Sequence, residues 1–281
     1  MKSTTVRMIA SIAIIVGAGA GAQTPQFEVA SVRLSPDQRG LSLSMHGGPG
    51  TEDPGLYTCE NCEIWGLIER AFNLKAYELS GPAWMRTTRL IISAKIPAGA
   101  TEEQFRLMLQ DLLIERFKLT FHREKKEMPA YDLVVAKNGP KIKESPEAPP
   151  LADPGAYKPP PGPSKKDKDG FPIIPLEDPR PMMSAMDGPR WVQRFGHRTM
   201  EQLAAYVATL VERPVVDATG LKGKYDFTLK WMNERLLPPN DDSGPKIFEA
   251  LQTQLGLKLE STKRMVDILV VDHIEKAPTE N

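Results

Sequence analysis

Cys59 and Cys62 are the only cysteines in this 281-residue chain, and they form the string Cys-Glu-Asn-Cys just ahead of a helical stretch. Two thiols so close oxidise to one another outside the cytoplasm, which gives a local disulfide. At a helix N-terminus the same spacing also suits a thiol redox site, because the helix dipole lowers the thiol pKa. Glu60 and Glu63 oppose that effect by like-charge repulsion, and no long thioredoxin-type βαβ pattern surrounds the motif. A local disulfide is therefore the favoured reading, and an envelope thiol redox enzyme the alternative.

Other chemistry is less well supplied. Two cysteines provide half of a tetrahedral zinc site, and His46, His122, His197 and His273 are scattered without HExxH or HxxxH spacing, so no metal is expected. His197 stands before the second half's first helix much as the cysteines stand before the first half's. In VVDATGL, Ala218 interrupts an Asp-Thr-Gly triplet, and no second catalytic Asp loop exists to complete a carboxylate pair. Asp217, Thr219 and Gly220 read instead as turn residues that bond local backbone. With neither a GxSxG elbow nor a phosphate loop, hydrolase and nucleotide chemistry lack support, and no cofactor is expected. Trp84 in GPAWM and Trp191 in GPRWVQRF are candidate ligand platforms, although core packing at a domain edge is the commoner use of large aromatics. The loop GLSLSMHGGPGTEDPG could border a cleft, and it also has the composition of an ordinary surface loop.

The elements that must position these residues come in two similar sets, residues 63–137 and 199–272. Each runs helix, short strand, strand, helix and a closing pair of strands. The spacing of about 135 residues is far too long for a solenoid array. In the second set Tyr225, Phe227, Leu229 and Trp231 alternate with polar residues, as a half-buried strand requires; Leu90, Ile92, Ala94 and Ile96 do the same in the first. Phe105, Met108, Leu109, Leu112 and Leu113 form a helical stripe with Thr101 as N-cap, and Ile247, Leu251 and Leu255 form another that stops at Gly256. The expected fold is α+β, with two tandem duplicated domains, each of two helices packed on small mixed or antiparallel sheets. The boundaries read as a signal peptide over 1–22, domains over 23–138 and 191–276, a Pro-rich linker over 139–190 and a tail over 277–281. Within that linker, Phe171, Ile173, Ile174 and Leu176 are the apolar residues able to tack it onto a domain.

The signal peptide rests on Lys2 and Arg7 before the apolar run from Met8 to Val16, closed by the small-x-small pattern Ala20-Gly21-Ala22. That run is too short to span a bilayer, so the expectation is a periplasmic or extracellular protein with no integral span after cleavage at Gln23. The 36 basic and 36 acidic residues balance, which removes the electrostatic case for nucleic acid or strong adhesion to an anionic membrane.

Two resemblances follow from the motifs. MEQLAAYVATLVERPVVDATGLKGKYDFTLKW with KIFEALQTQLGLKLES and MVDILVVD resembles the short N-terminal domain of secretins and TonB-dependent receptors. The first half is similar in order but carries extra residues around Ile114 to Phe117. FEVASV, GPAWM, the run from MLQDLLIERFKL through HREKKEMPAYDLVVAKNGPK, and RPVVDATGLKGKYDFTLKW together resemble a family of exported soil-bacterial proteins of unestablished activity. The secretin-like pattern implies a docking module, so the expected function is non-catalytic: binding an envelope protein or peptide by strand addition to a sheet edge or by taking an apolar segment between helices and sheet. A purely structural protein is the third reading.

Overall fold

The computed structural model describes residues 25–36, 43–146, 165–174, 182–238, 241 and 243–279. The expected signal peptide, Leu176 and part of the Pro-rich tract lie outside them. In chain order the first elements are β1 (Val29–Leu34), β2 (Ser44–Gly47), β3 (Leu56–Glu63), α1 (Ile64–Phe72), β4 (Leu79–Ser80), β5 (Arg89–Lys95), α2 (Glu102–Phe117) and β6 (Thr120–Val135). There follow β7 (Lys143–Glu144), β8 (Met182–Asp187), β9 (Arg190–Arg198), α3 (Met200–Val211), β10 (Val215–Asp217), β11 (Tyr225–Met232), α4 (Ile247–Ala250) and β12 (Leu257–His273). The fold is α+β, with four helices and three small, mostly antiparallel sheets among the described residues.

The chain divides into two compact units, one of residues up to Phe72 with Trp84–Lys118 and the end from Glu275, the other of Asn73–Ala83 and Leu119–Ile274. In the first, an antiparallel sheet runs β1-β5-β3-β2. Its buried face carries Val32, Tyr57, Cys59, Leu90, Ile92 and Ala94, the alternate residues that a pleated strand turns to one side. Helix α2 covers this face, and Phe105 packs edge-on against Tyr57 with ring centres 5.0 Å apart. Thr101 caps α2 as expected: its hydroxyl accepts from the Gln104 N–H at 3.2 Å, and Gln104 Oε1 accepts from the Thr101 N–H at 2.9 Å. The Gln110 amide donates to the Ala71 carbonyl at 2.8 Å, tying α2 to the end of α1.

The second unit holds two sheets. One runs β10-β6-β12-β4, with the long β6 and β12 antiparallel in the centre and the two short outer strands parallel to their neighbours. The other runs β7-β11-β9-β8, all antiparallel. Tyr225, Phe227, Leu229 and Trp231 of β11 are all buried, and they share a core with Met200, Leu203 and Val207 of α3 and with Ile247, Leu251 and Leu255. Helix α4 continues as a single π-helical segment, Leu251–Leu255, and ends at Gly256 with φ of 67°. A Cβ there would collide with the Gly139 carbonyl, so glycine is required for space as well as for φ.

The closing strand pairs differ from expectation. KLTFHRE and YDLVVAK lie on one continuous strand, β6, and LKLES and MVDILVVD on another, β12; the two long strands pair with each other. Pro129 is tolerated inside β6 because β10 pairs only with Tyr131 to Leu133, so among the described residues Pro129 meets no neighbour strand on the side away from β12. Part of the expected linker is also built into structure. β7 pairs with β11, β8 pairs with β9, and Phe171 and Ile174 are buried with Val192 and Met232, while Ile173 is exposed.

Candidate functional site

The cysteines lie on β3, and a β-bulge brings them to the same face. In a regular strand, residues three apart point to opposite sides. Here the β3–β5 register slips between Glu60 and Cys62: Cys59 is opposite Ile92 and Cys62 is opposite Leu90, leaving Asn61 as the extra residue. Asn61 adopts a left-handed conformation, φ 57°, which asparagine tolerates better than most side chains, and its carbonyl oxygen accepts from the Ser35 hydroxyl at 2.7 Å. Both sulfurs therefore turn inward. Cys59 and Cys62 are joined in a disulfide with Cα atoms 5.9 Å apart. Cys59 is wholly buried and Cys62 is 4% exposed.

Helix α1 begins two residues after Cys62, and the N-terminal end of a helix is in general a setting that favours a nearby thiolate. The carboxylates expected to oppose this are not equivalent. Glu60 is exposed, whereas Glu63 is ion-paired with Arg89 of β5, so part of the expected repulsion is neutralised. On the same face Tyr57 holds its phenol above the usual range, mainly through burial, with the Arg70 guanidinium acting in the opposite direction from 5.4 Å over the ring.

The other candidates are not brought to the cysteines. Trp84 sits half-buried in a 3₁₀ turn, with the Lys276 ammonium 5.6 Å from its ring. Trp191, in the second unit, packs at 6.0 Å on Trp231 and lines a cleft of ≈ 210 Å³. Asp217 accepts from the N–H and the hydroxyl of Thr219, which is the turn role expected of it. His46 bonds Ser44 at 2.8 Å, and His122 bonds Asp272 at 2.8 Å. Among the described residues no three His, Cys, Asp or Glu side chains gather as metal ligands, and no helix is long and apolar enough to cross a membrane.

A family model described as a protein of unknown function (DUF3738) matches residues 66–274. The chain belongs to the DUF3738 family. No curated protein and no solved structure matches this DUF3738 chain. The matched span starts beyond Cys62, so the cysteine pair lies outside the part of the chain that defines membership.

The expectation of a non-catalytic protein is corrected by the cysteine geometry. A CxxC-spaced pair, closed to disulfide distance ahead of a helix, is the constellation used in thiol–disulfide catalysis. Sequence reasoning weighed the glutamates as free charges and missed Arg89, which is 26 positions from Glu63 in sequence and faces it across the sheet.

Proposed function

We propose that this protein carries out thiol–disulfide exchange at Cys59 and Cys62. The observation that carries the reading is the disulfide closed across the Asn61 bulge, directly ahead of α1. A second observation supports it. We read the matching strand orders, β1-β5-β3-β2 and β7-β11-β9-β8, as a tandem duplication of one unit. Asn61 and His197 are both left-handed, and each stands three residues before the first residue of a helix, Ile64 or Met200. The counterparts of Cys59 and Cys62 are then Phe195 and Arg198, so the fold makes this irregular strand end without a disulfide.

The exchange balances as follows. A thiolate of a partner dithiol attacks Sγ of Cys62, the cysteine with residual exposure; the Cys59–Cys62 bond breaks, and Cys59 leaves as a thiolate and takes a proton. The partner's second thiolate then attacks the partner sulfur of the mixed disulfide, forming the partner's disulfide and releasing Cys62 as a thiolate beside the α1 N-terminus. Two electrons have passed to this protein, which is reduced as the partner is oxidised. Export would place the reaction in a compartment where disulfides persist.

The test uses a dithiol peptide as the reductant. The native protein should accept two electrons and keep its fold, and Cys59→Ser should accumulate a mixed disulfide when Cys62 is offered an activated disulfide peptide. If the dithiol reduces the protein only after unfolding, or Cys59→Ser forms no adduct, the proposal fails.

A further inference from the structure

We infer an interaction surface independent of the cysteines: two copies of this chain associate through the free edge of β6, which pairs with the same edge of the second copy. Along that edge β10 covers only Tyr131 to Leu133. There the Tyr131 N–H donates to the Pro214 carbonyl at 2.8 Å, and the Leu133 carbonyl accepts from the Ala218 N–H at 2.9 Å, so the odd-numbered residues turn their backbone groups outward. The pairing with β12 keeps one register from Phe121 to Val135, and the alternation therefore holds along the strand. Arg123, Lys125 and Glu127 point their N–H and C=O groups away from β12, and among the described residues no strand meets them. Pro129, also an outward position, has no N–H to give and closes the free stretch. The side chains from Arg123 to Glu127 are all exposed.

The order of charges along this stretch selects the occupant. Arg-Glu-Lys-Lys-Glu is set against itself in the antiparallel sense, with Lys125 on the two-fold axis. Arg123 then faces Glu127 of the second copy, Glu124 faces its Lys126, and symmetry repeats both pairs. The one like pair, Lys125 with its own counterpart, is offset by Asp267, which stands opposite Lys125 on β12 in each copy. Sliding the register by two residues one way sets Arg123 against Lys125 and Glu124 against itself. Sliding it the other way sets Lys126 against itself and Arg123 against Pro129. Like charges directly opposite are unfavourable, so the two-fold register centred on Lys125 is preferred.

The ends of the strand agree with that register. Thr120, where β6 begins, falls opposite Ala130, so the incoming strand stops before the rungs that β10 fills. Glu127 also accepts from Lys263 at 2.8 Å, and a carboxylate has room for a second donor. Charges that turn away other strands thus admit this one. The shared stretch is short and exposed, which makes the dimer a weak one.

Sedimentation equilibrium of the full chain at up to about 0.5 mM should show a monomer–dimer equilibrium. Added salt should weaken it, because the pairs are exposed. Amide hydrogen exchange should slow with concentration at Arg123, Lys125 and Glu127, and stay constant at Glu124 and Lys126, whose N–H groups already face β12. Glu124→Lys or Lys126→Glu alone places like charges opposite each other twice, and each should weaken the dimer roughly 10-fold or more. Mixed together, the two variants should pair as tightly as the native copies do, since each supplies the charge that the other lacks. Lys125→Pro removes an outward donor only, as Pro129 does, and should abolish dimerisation with the circular-dichroism spectrum retained. A monomer at every concentration, a dimer that neither charge substitution weakens, or mixed variants that fail to associate would each overturn the assignment.

Discussion

Reducing the Cys59–Cys62 bond should leave a folded protein, and the size of the effect follows from the loop it closes. The cysteines are three positions apart, so the bond closes a loop of four residues. Chain-entropy arguments give such a loop about 2 kcal/mol of stabilisation, at the low end for disulfides because so short a segment has little freedom to lose. The two thiols stay on the buried face opposite Ile92 and Leu90, where cysteine behaves as a small hydrophobe and reduction leaves no uncompensated polar group. A loss of about 2 kcal/mol lowers the melting temperature of a chain this size by roughly 4–8 °C. The assay is a melt followed by near-ultraviolet dichroism with and without a dithiol reductant, paired with a glutathione redox titration read by thiol alkylation and mass. The expected potential lies within the range of about −270 to −120 mV seen in exchange proteins. A potential below about −300 mV, or collapse of the near-ultraviolet signal on reduction, marks a structural disulfide and refutes the reasoning.

Arg89→Ala should free the Glu63 charge beside Cys62, raise the thiol pKa and slow alkylation of the reduced protein by about two- to threefold at neutral pH; an unchanged rate would mean that the ion pair does not act on the sulfur. Phe105→Ala removes a fully buried ring that contacts Phe27 at 5.9 Å and Tyr57 at 5.0 Å, and should cost about 3–5 kcal/mol in urea unfolding. A loss under about 1 kcal/mol would show that the core under β3 is not packed as described. Asp167 is held below the usual carboxylate range, first by the hydrogen bond from Lys230 at 2.6 Å and further by the N–H groups of Phe171 and Asp169. A depressed folded pKa stabilises above the ordinary value near 3.8 and stops doing so as pH falls through the lowered one. Asp167→Asn should therefore melt below the native protein at neutral pH and converge with it in strong acid; a constant gap would exclude ionisation as the cause.

Local periodicity made much of the fold legible. The stripe Tyr225, Phe227, Leu229, Trp231 and the cap at Thr101 could be read because each is a short-range pattern with a direct steric or hydrogen-bonding cause. What escaped depends on partners remote in sequence. KLTFHRE and YDLVVAK read as a closing pair of strands, and only the continuous pairing with β12, through Pro129 opposite Lys263, shows them to be one strand. At the site, Cys-Glu-Asn-Cys announced itself, but strict alternation would have pointed the two sulfurs apart. The left-handed Asn61 that reconciles them has no sequence signal beyond asparagine's tolerance of that conformation.

The pairing of β6 with β12 bears on how the chain reaches this state. Thr120 pairs with His273 and Val135 with Leu257, so every rung of the longest ladder joins residues more than a hundred positions apart. Short β4, from the first half of the chain, also pairs with β12. High contact order of this kind slows folding, since loop-closure entropy must be met before such contacts contribute. The inner edge of β6 thus stays open until nearly the whole sequence has been delivered. The charges at Arg123, Glu124, Lys125, Lys126 and Glu127 make that waiting edge a poor template for the wrong strand.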